Sequence, residues 1–240
     1  MSKPDPPMKH LLIACIACLS LHAEESGKLV FSDDFNRNES QETQDEPGNG
    51  WETNSKARAK GNKQVDLQDG ALRIFIHKDA DHAVSVTHPF EFKDGTVQMR
   101  FKLEDAKDSL GLNFADLGLK TVHAGHLCMA IFSTKDVLLR DLKTGVMDLA
   151  NYNAKKEGSL SKEAAAALKL KEKAFPAPIA PGVWHSLSVT IDGETLSAAV
   201  DEKEVGSFSS PGIAHPTKKT LRLSVPKNAV VDDVRFYFRK

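Results

Sequence analysis

The sequence predicts an all-β chain folded as an antiparallel β-sandwich of jelly-roll type, with one inserted α-helix. Three observations carry this. Short runs alternate apolar and polar residues with a period of two, which turns one face of each strand inward and the other to solvent. Asp-Gly pairs stand beside several runs and supply the positive φ that tight hairpins need. Strands follow strands without helices between them, so two antiparallel sheets packed face to face are expected.

The runs can be taken in order. Leu72, Ile74 and Ile76 alternate with Arg73, Phe75 and His77 after Asp69-Gly70. Val97, Met99, Phe101 and Leu103 alternate with Gln98, Arg100 and Lys102 after Asp94-Gly95. Leu187, Val189 and Ile191 lead into Asp192-Gly193, and Leu196, Ala198 and Val200 answer beyond it. Leu221, Leu223 and Val225 repeat the period, as do Val234, Phe236 and Phe238.

One segment departs from this pattern. Between Ser159 and Phe175, the residues Ala164 to Ala167, Leu168 and Leu170 with several Lys and Glu favour a helix. Ser161 suits the N-cap, Glu163 the first turn, and Pro176 stops the run. Pro176, Pro178 and Pro181 then form an extended connector, so an insertion of about residues 145–181 is expected, either a lid over a site or a packing element. Residues 36–62 are polar and Gly-rich with neither period, as in a surface loop.

The N-terminus reads as a secretory signal over residues 1–23, leaving a domain of 24–240 that is secreted or periplasmic. Lys3, Lys9 and His10 precede an apolar run from Leu11 to Leu21, and Leu21-His22-Ala23 ends it before Glu24-Glu25. That run is too short to span a bilayer, and no later stretch qualifies as a membrane span. Leu12-Ile13-Ala14-Cys15 also fits a bacterial lipoprotein site, which makes a lipid anchor on Cys15 the alternative. Cys15 and Cys18 lie within the signal, so their C-x-x-C spacing carries no redox reading, and Cys128 alone remains as a small buried group. The signal holds two Lys and one Asp, so the formal net charge of −1 becomes −2 on its removal. A near-neutral balance argues against a nucleic-acid partner, which wants a basic face.

Several stretches resemble a known family. Leu29-Val30-Phe31-Ser32-Asp33-Asp34-Phe35, with Gly50-Trp51-Glu52 after a loop, is similar to the opening of concanavalin A-like lectin/glucanase domains. Val230-Val231-Asp232-Asp233-Val234-Arg235-Phe236 resembles their last strand. Pro181-Gly182-Val183-Trp184-His185-Ser186-Leu187, Ile191-Asp192-Gly193 and Val200-Asp201 are similar to laminin-G-like domains. The resemblance is nearest to exported bacterial domains of planctomycetes and verrucomicrobia labelled 3-keto-disaccharide hydrolase or family-sixteen-like glycoside hydrolase. It implies a carbohydrate partner and a first strand lying beside the last. Asp33 or Asp34 would then meet Asp232 or Asp233, a candidate structural Ca²⁺ site, because hard cations take clustered oxygens. Asp232 shares parity with Val234 and Phe236, so it is expected to point with them.

Glucanases on this fold carry Glu-x-Asp-x-x-Glu on one strand, and no Glu here has Asp two residues later. G-x-S-x-G and H-E-x-x-H are missing too. What remains is a set of histidines and polar neighbours. His82, His123, Lys135 and His215 are the candidates for acid/base chemistry, because imidazole titrates near neutral pH. His88, His126, Asp116, Lys120 and Trp184 are the candidates for ligand binding, the tryptophan as a stacking platform for sugar. His123 and His126 have H-x-x-H spacing, but residues i and i+3 of a strand face opposite sides, which argues against a shared metal. Three readings stay open: a glycan-binding module, a glycosidase-like enzyme on (3-keto-)disaccharides, or a structural or adhesive surface protein.

Overall fold

The computed structural model describes residues 27–239; the expected signal peptide, with Cys15 and Cys18, lies outside the described residues. The strands are β1 (Lys28–Asp33), β2 (Glu52–Thr53), β3 (Val65–Gln68), β4 (Ala71–Phe75), β5 (Val84–Phe92), β6 (Asp94–Lys102), β7 (Ser109–Ala115) and β8 (His126–Ser133). After them come β9 (Asp136–Asp141), β10 (Glu172–Pro176), β11 (His185–Asp192), β12 (Thr195–Val200), β13 (Lys203–Ser209), β14 (Lys218–Val225) and β15 (Asn228–Arg239). They form two antiparallel sheets, as the alternation predicts. The first runs β13-β12-β11-β6-β15-β4-β3, with β1 also on β15, and the second runs β10-β9-β8-β7-β14-β5-β2. First and last strands do pair, Asp33 opposite Val234.

The core lies between the sheets, and the alternating apolar residues fill it. Leu72, Val97, Phe101, Val189, Leu196 and Phe236 from the first sheet meet Val86, Leu112, Phe114, Phe132, Leu139 and Leu223 from the second. Ile76 is the exception: β4 ends at Phe75, and Ile76 is left exposed. Cys128 is fully buried in this core, where desolvation pushes its thiol up to about 12, so it stays protonated and inert.

The insertion is more elaborate than one helix. It holds α2 (Leu149–Lys156), α3 (Lys162–Lys169) and then strand β10, after a short α1 (Ser55–Arg58) earlier in the chain. Ser161 caps α3 as expected, its hydroxyl accepting from Ala164 N–H, and Asp148 caps α2 by accepting from Ala150 and Asn151. The helix stops at Lys169, short of Phe175, because Glu172–Pro176 pairs with β9 and the Phe175 ring settles over Gly206 of β13. A β-carbon at Gly206 would overlap that ring. Among the described residues no helix is long and apolar enough to cross a membrane.

Phe236 is the hub of the aromatic packing between the sheets, with Phe90, Phe92 and Phe238 centroids 4.6, 4.7 and 5.3 Å from its own. Phe236→Ala removes a fully buried ring and should cost about 3–5 kcal/mol in denaturant unfolding. A loss below about 1 kcal/mol would mean that this junction is not packed as described.

Candidate functional site

The outer face of the second sheet carries an unbroken row of side chains from edge to edge. Glu172 pairs with Arg140, Arg140 with Met129, and Met129 with Asn113. Asn113 pairs with Arg222, Arg222 with Thr87, and Thr87 with Glu52. Residues directly opposite in a ladder share a face. Arg222 lies between core residues Leu221 and Leu223, and Asn113 between Leu112 and Phe114, so both must point away from the core.

His126 joins this face through a bulge. Phe114 pairs with Cys128 but Ala115 pairs with His126, which leaves Leu127 as the extra residue on β8. The bulge turns His126 from the parity of Cys128 to the outer side, a common means of re-aiming a side chain. His126 Nδ1 lies 2.9 Å from Asn113 Oδ1, and Arg222 Nη1 lies 3.0 Å from His126 Nδ1 and 3.2 Å from its Nε2. A neutral ring protonated at Nδ1 donates to Asn113 Oδ1, while the Arg222 guanidinium, nearly equidistant from both ring nitrogens, packs against the ring. Burial and then the positive charges of Arg222, His123 and His82 lower the His126 pKa to about 3. His126 is therefore a fixed neutral hydrogen-bonding group near neutral pH and cannot shuttle protons there.

Local structure brings His123 to the same place. Residues His123–Gly125 form a 3₁₀ turn with Ala124 at φ +48°, so strand parity does not apply between His123 and His126. Their ring centroids are 6.5 Å apart, which corrects the expectation that they face opposite sides. The insertion docks here: His123 N–H donates to Met147, and Leu149 N–H donates to Thr121. Tyr152 of α2 consequently stacks on His123 at 3.7 Å and 8°. His82 is exposed, with its Nδ1 2.9 Å from Ala83 O in its own segment.

His215 and Asp116 lie beside the same turn. His215 Nε2 is 3.2 Å from Asp116 Oδ2, Lys219 approaches Oδ1 at 3.4 Å, and Asp116 N–H donates to Gly125. Burial raises the Asp116 pKa, but the Gly118 N–H, His215 and Lys219 outweigh it and hold the carboxyl below its usual range.

The remaining candidates lie elsewhere. Lys135 is exposed in the β8–β9 turn, about 23 Å along the strand from His126 at the usual rise per residue. Lys120 is exposed and donates to Leu117 O within its own loop. His88 is packed among Phe31, Trp51 and Phe90, centroids 4.2, 5.1 and 4.4 Å away, on the core side of β5. Trp184 lies against the first sheet, with the Arg100 guanidinium 4.7 Å and the Lys102 ammonium 5.2 Å from its ring centroid. It thus stands on the first sheet, whereas His123 and His126 stand on the second.

Asp33, Asp34 and Asp233 line one surface cavity together with Arg37 and Arg235, and Asp232 adjoins Asp233 on β15. Burial raises Asp33, but the Arg37 fork at 2.6 and 3.0 Å, the Phe35 N–H and Trp51 Nε1 pull its pKa down. Asp232 pairs with Arg100 at 2.9 Å, and Asp233 with Arg235 at 3.4 Å. A bulge between Asp232 and Arg235, with Asp233 at φ +49°, turns Asp232 outward opposite Arg100, against the parity expected of it. Among the described residues, the three acids whose oxygens converge within 4.8 Å are Glu39, Glu42 and Asp66. The Lys63 ammonium stands 2.7, 3.1 and 2.6 Å from them.

No protein-family model matches the sequence, and no curated protein matches it. Solved structures do. A β-glucanase of Bacillus licheniformis aligns with TM-score 0.58 at 12% identity, over 89% of this chain and all of that one. An endo-β-1,3(4)-glucanase of family GH16, SCLam, gives 0.54 at 15% over 88% and 91%. Carbohydrate-binding module CBM66 from Bacillus subtilis gives 0.50 at 12% over 77% and 93%. At these identities the likeness shows the fold alone, an antiparallel β-sandwich of jelly-roll type.

Because the His126 pKa is depressed in the folded chain, the unfolded chain binds the extra proton. The stability this difference confers is complete above the ordinary pKa of 6.5 and is lost as pH falls toward about 3. Between pH 6.5 and 5, stability should drop by up to about 1.4 kcal/mol per unit. His126→Gln should flatten that slope in thermal unfolding; an unchanged slope would show that His126 titrates normally.

Proposed function

We propose that the chain is an exported glycan-binding module that holds sugar on the outer face of the seven-stranded sheet, without glucanase-type catalysis. One observation carries the reading: Arg222 and neutral His126, held from beneath by the buried amide of Asn113, form a hydrogen-bonding patch beside the stacked rings of Tyr152 and His123. Fixed donors and acceptors read sugar hydroxyls, and aromatic rings cover sugar C–H faces. The likeness to a carbohydrate-binding module and to glucanases supports a sugar ligand, and the basic, then apolar, N-terminal residues support export.

The carboxylates on this row argue against hydrolysis. Glu52 and Glu172 sit on opposite edge strands, six strand spacings apart or about 29 Å along the sheet. A retaining glycosidase needs its pair about 5–5.5 Å apart and an inverting one about 6.5–9.5 Å. Glu172 is moreover tied to Arg140 at 2.8 Å.

A glycan screen by thermal shift, followed by calorimetry, should find a ligand, and Tyr152→Ala should weaken it about tenfold, a 1.4 kcal/mol change. Reducing ends should not accumulate on prolonged incubation. Steady release of sugar would put the enzyme reading in place of this one.

A further inference from the structure

The outer-face patch has an unbalanced charge. Among the described residues Arg222 forms no ion pair within 4 Å, whereas Arg37, Arg100 and Arg140 each do. Its Nη1 is used by Asn113 Oδ1 at 3.3 Å and by the His126 ring, both neutral acceptors. Its Nη2 and Nε make no hydrogen bond to another described residue. In its own row the nearest carboxylate is Glu52, two strand spacings away or about 9.6 Å.

Arg222 is the standing positive charge beside His126, and no carboxylate is among the groups that act on that ring. Burial alone lowers the Arg222 pKa, with no carboxylate opposing it. The acid beside the turn, Asp116, is already engaged by His215 and Lys219. A half-buried guanidinium left with neutral partners is poorly compensated, and its free edge matches a planar oxyanion in two parallel hydrogen bonds.

Resting on the glycan-binding reading, we propose that the sugar bound here is acidic, carrying a carboxylate or a sulfate ester that sits on the free Nη2–Nε edge of Arg222. Neighbouring hydroxyls of the same chain then meet His126, while Asn113 stays buried beneath, its amide shared among Cys128 O, His126 and Arg222, and the ring pair of Tyr152 and His123 walls one side.

The test titrates the full chain calorimetrically with oligogalacturonate, its methyl ester, a sulfated galactan oligosaccharide and the neutral galactan oligosaccharide. At least one anionic probe should bind tenfold or more tightly than its neutral counterpart, and that preference should shrink as salt is raised from 20 to 500 mM. The carboxylate and sulfate arms distinguish the two sources of the anion. Arg222→Gln should abolish the preference, bringing the anionic probes down to the affinity of their neutral counterparts, and Asn113→Asp, which places a carboxylate beside the guanidinium, should reduce it in the same direction. Equal or tighter binding of the neutral probes would overturn the acidic ligand and leave the glycan reading standing. No response to any of the four, nor to the wider glycan screen, would overturn both.

Discussion

Burial of apolar side chains between the two sheets is the constraint from which the rest follows. Each strand can place only alternate residues in that layer, so its other residues must face outward. The outer rows are therefore set by the core: Arg222 is on the open face because Leu221 and Leu223 are in the interior. A one-residue slip of β14 would reverse this and bury a guanidinium against Phe114 and Val86, which the core does not permit.

Two bulges modify this rule, and both matter to the polar groups. The extra residue Leu127 turns His126 from the core side to the outer face, where Asn113 and Arg222 are waiting. The irregularity at Asp233 turns Asp232 to Arg100, sparing the interior an unpaired carboxylate. In each case one inserted residue changes which face a charged or titratable group occupies. The chain keeps its apolar layer intact and still positions these groups.

This is also why the fold was legible in the sequence and the site only partly so. The period of two in Leu187-Val189-Ile191 or Leu221-Leu223-Val225 and the Asp-Gly turns state the sandwich openly, and Ser161 announces its helix. A bulge has no comparable signature, so parity misplaced Asp232 and wrongly separated His123 from His126. Asn113 and Arg222 were visible as polar residues flanked by core positions and could have been taken from that pattern. Tyr152 could not, because its place depends on how the insertion docks on Thr121 and His123. Lys135 shares the chain's centre with the histidines but is carried to the far end of β8 by the strand itself. His88 and Trp184 were judged by residue type, whereas packing decided their surroundings.

The central claim is that the outer face of the seven-stranded sheet, around Arg222, is where ligand meets this protein. The most direct measurement is an amide chemical-shift titration with a bound oligosaccharide, assigned residue by residue. The account predicts that the largest changes fall on Asn113, His126, Tyr152 and Arg222, with the outer face of the other sheet silent. Changes centred on Trp184 and Arg100, or spread evenly over both faces, would contradict it.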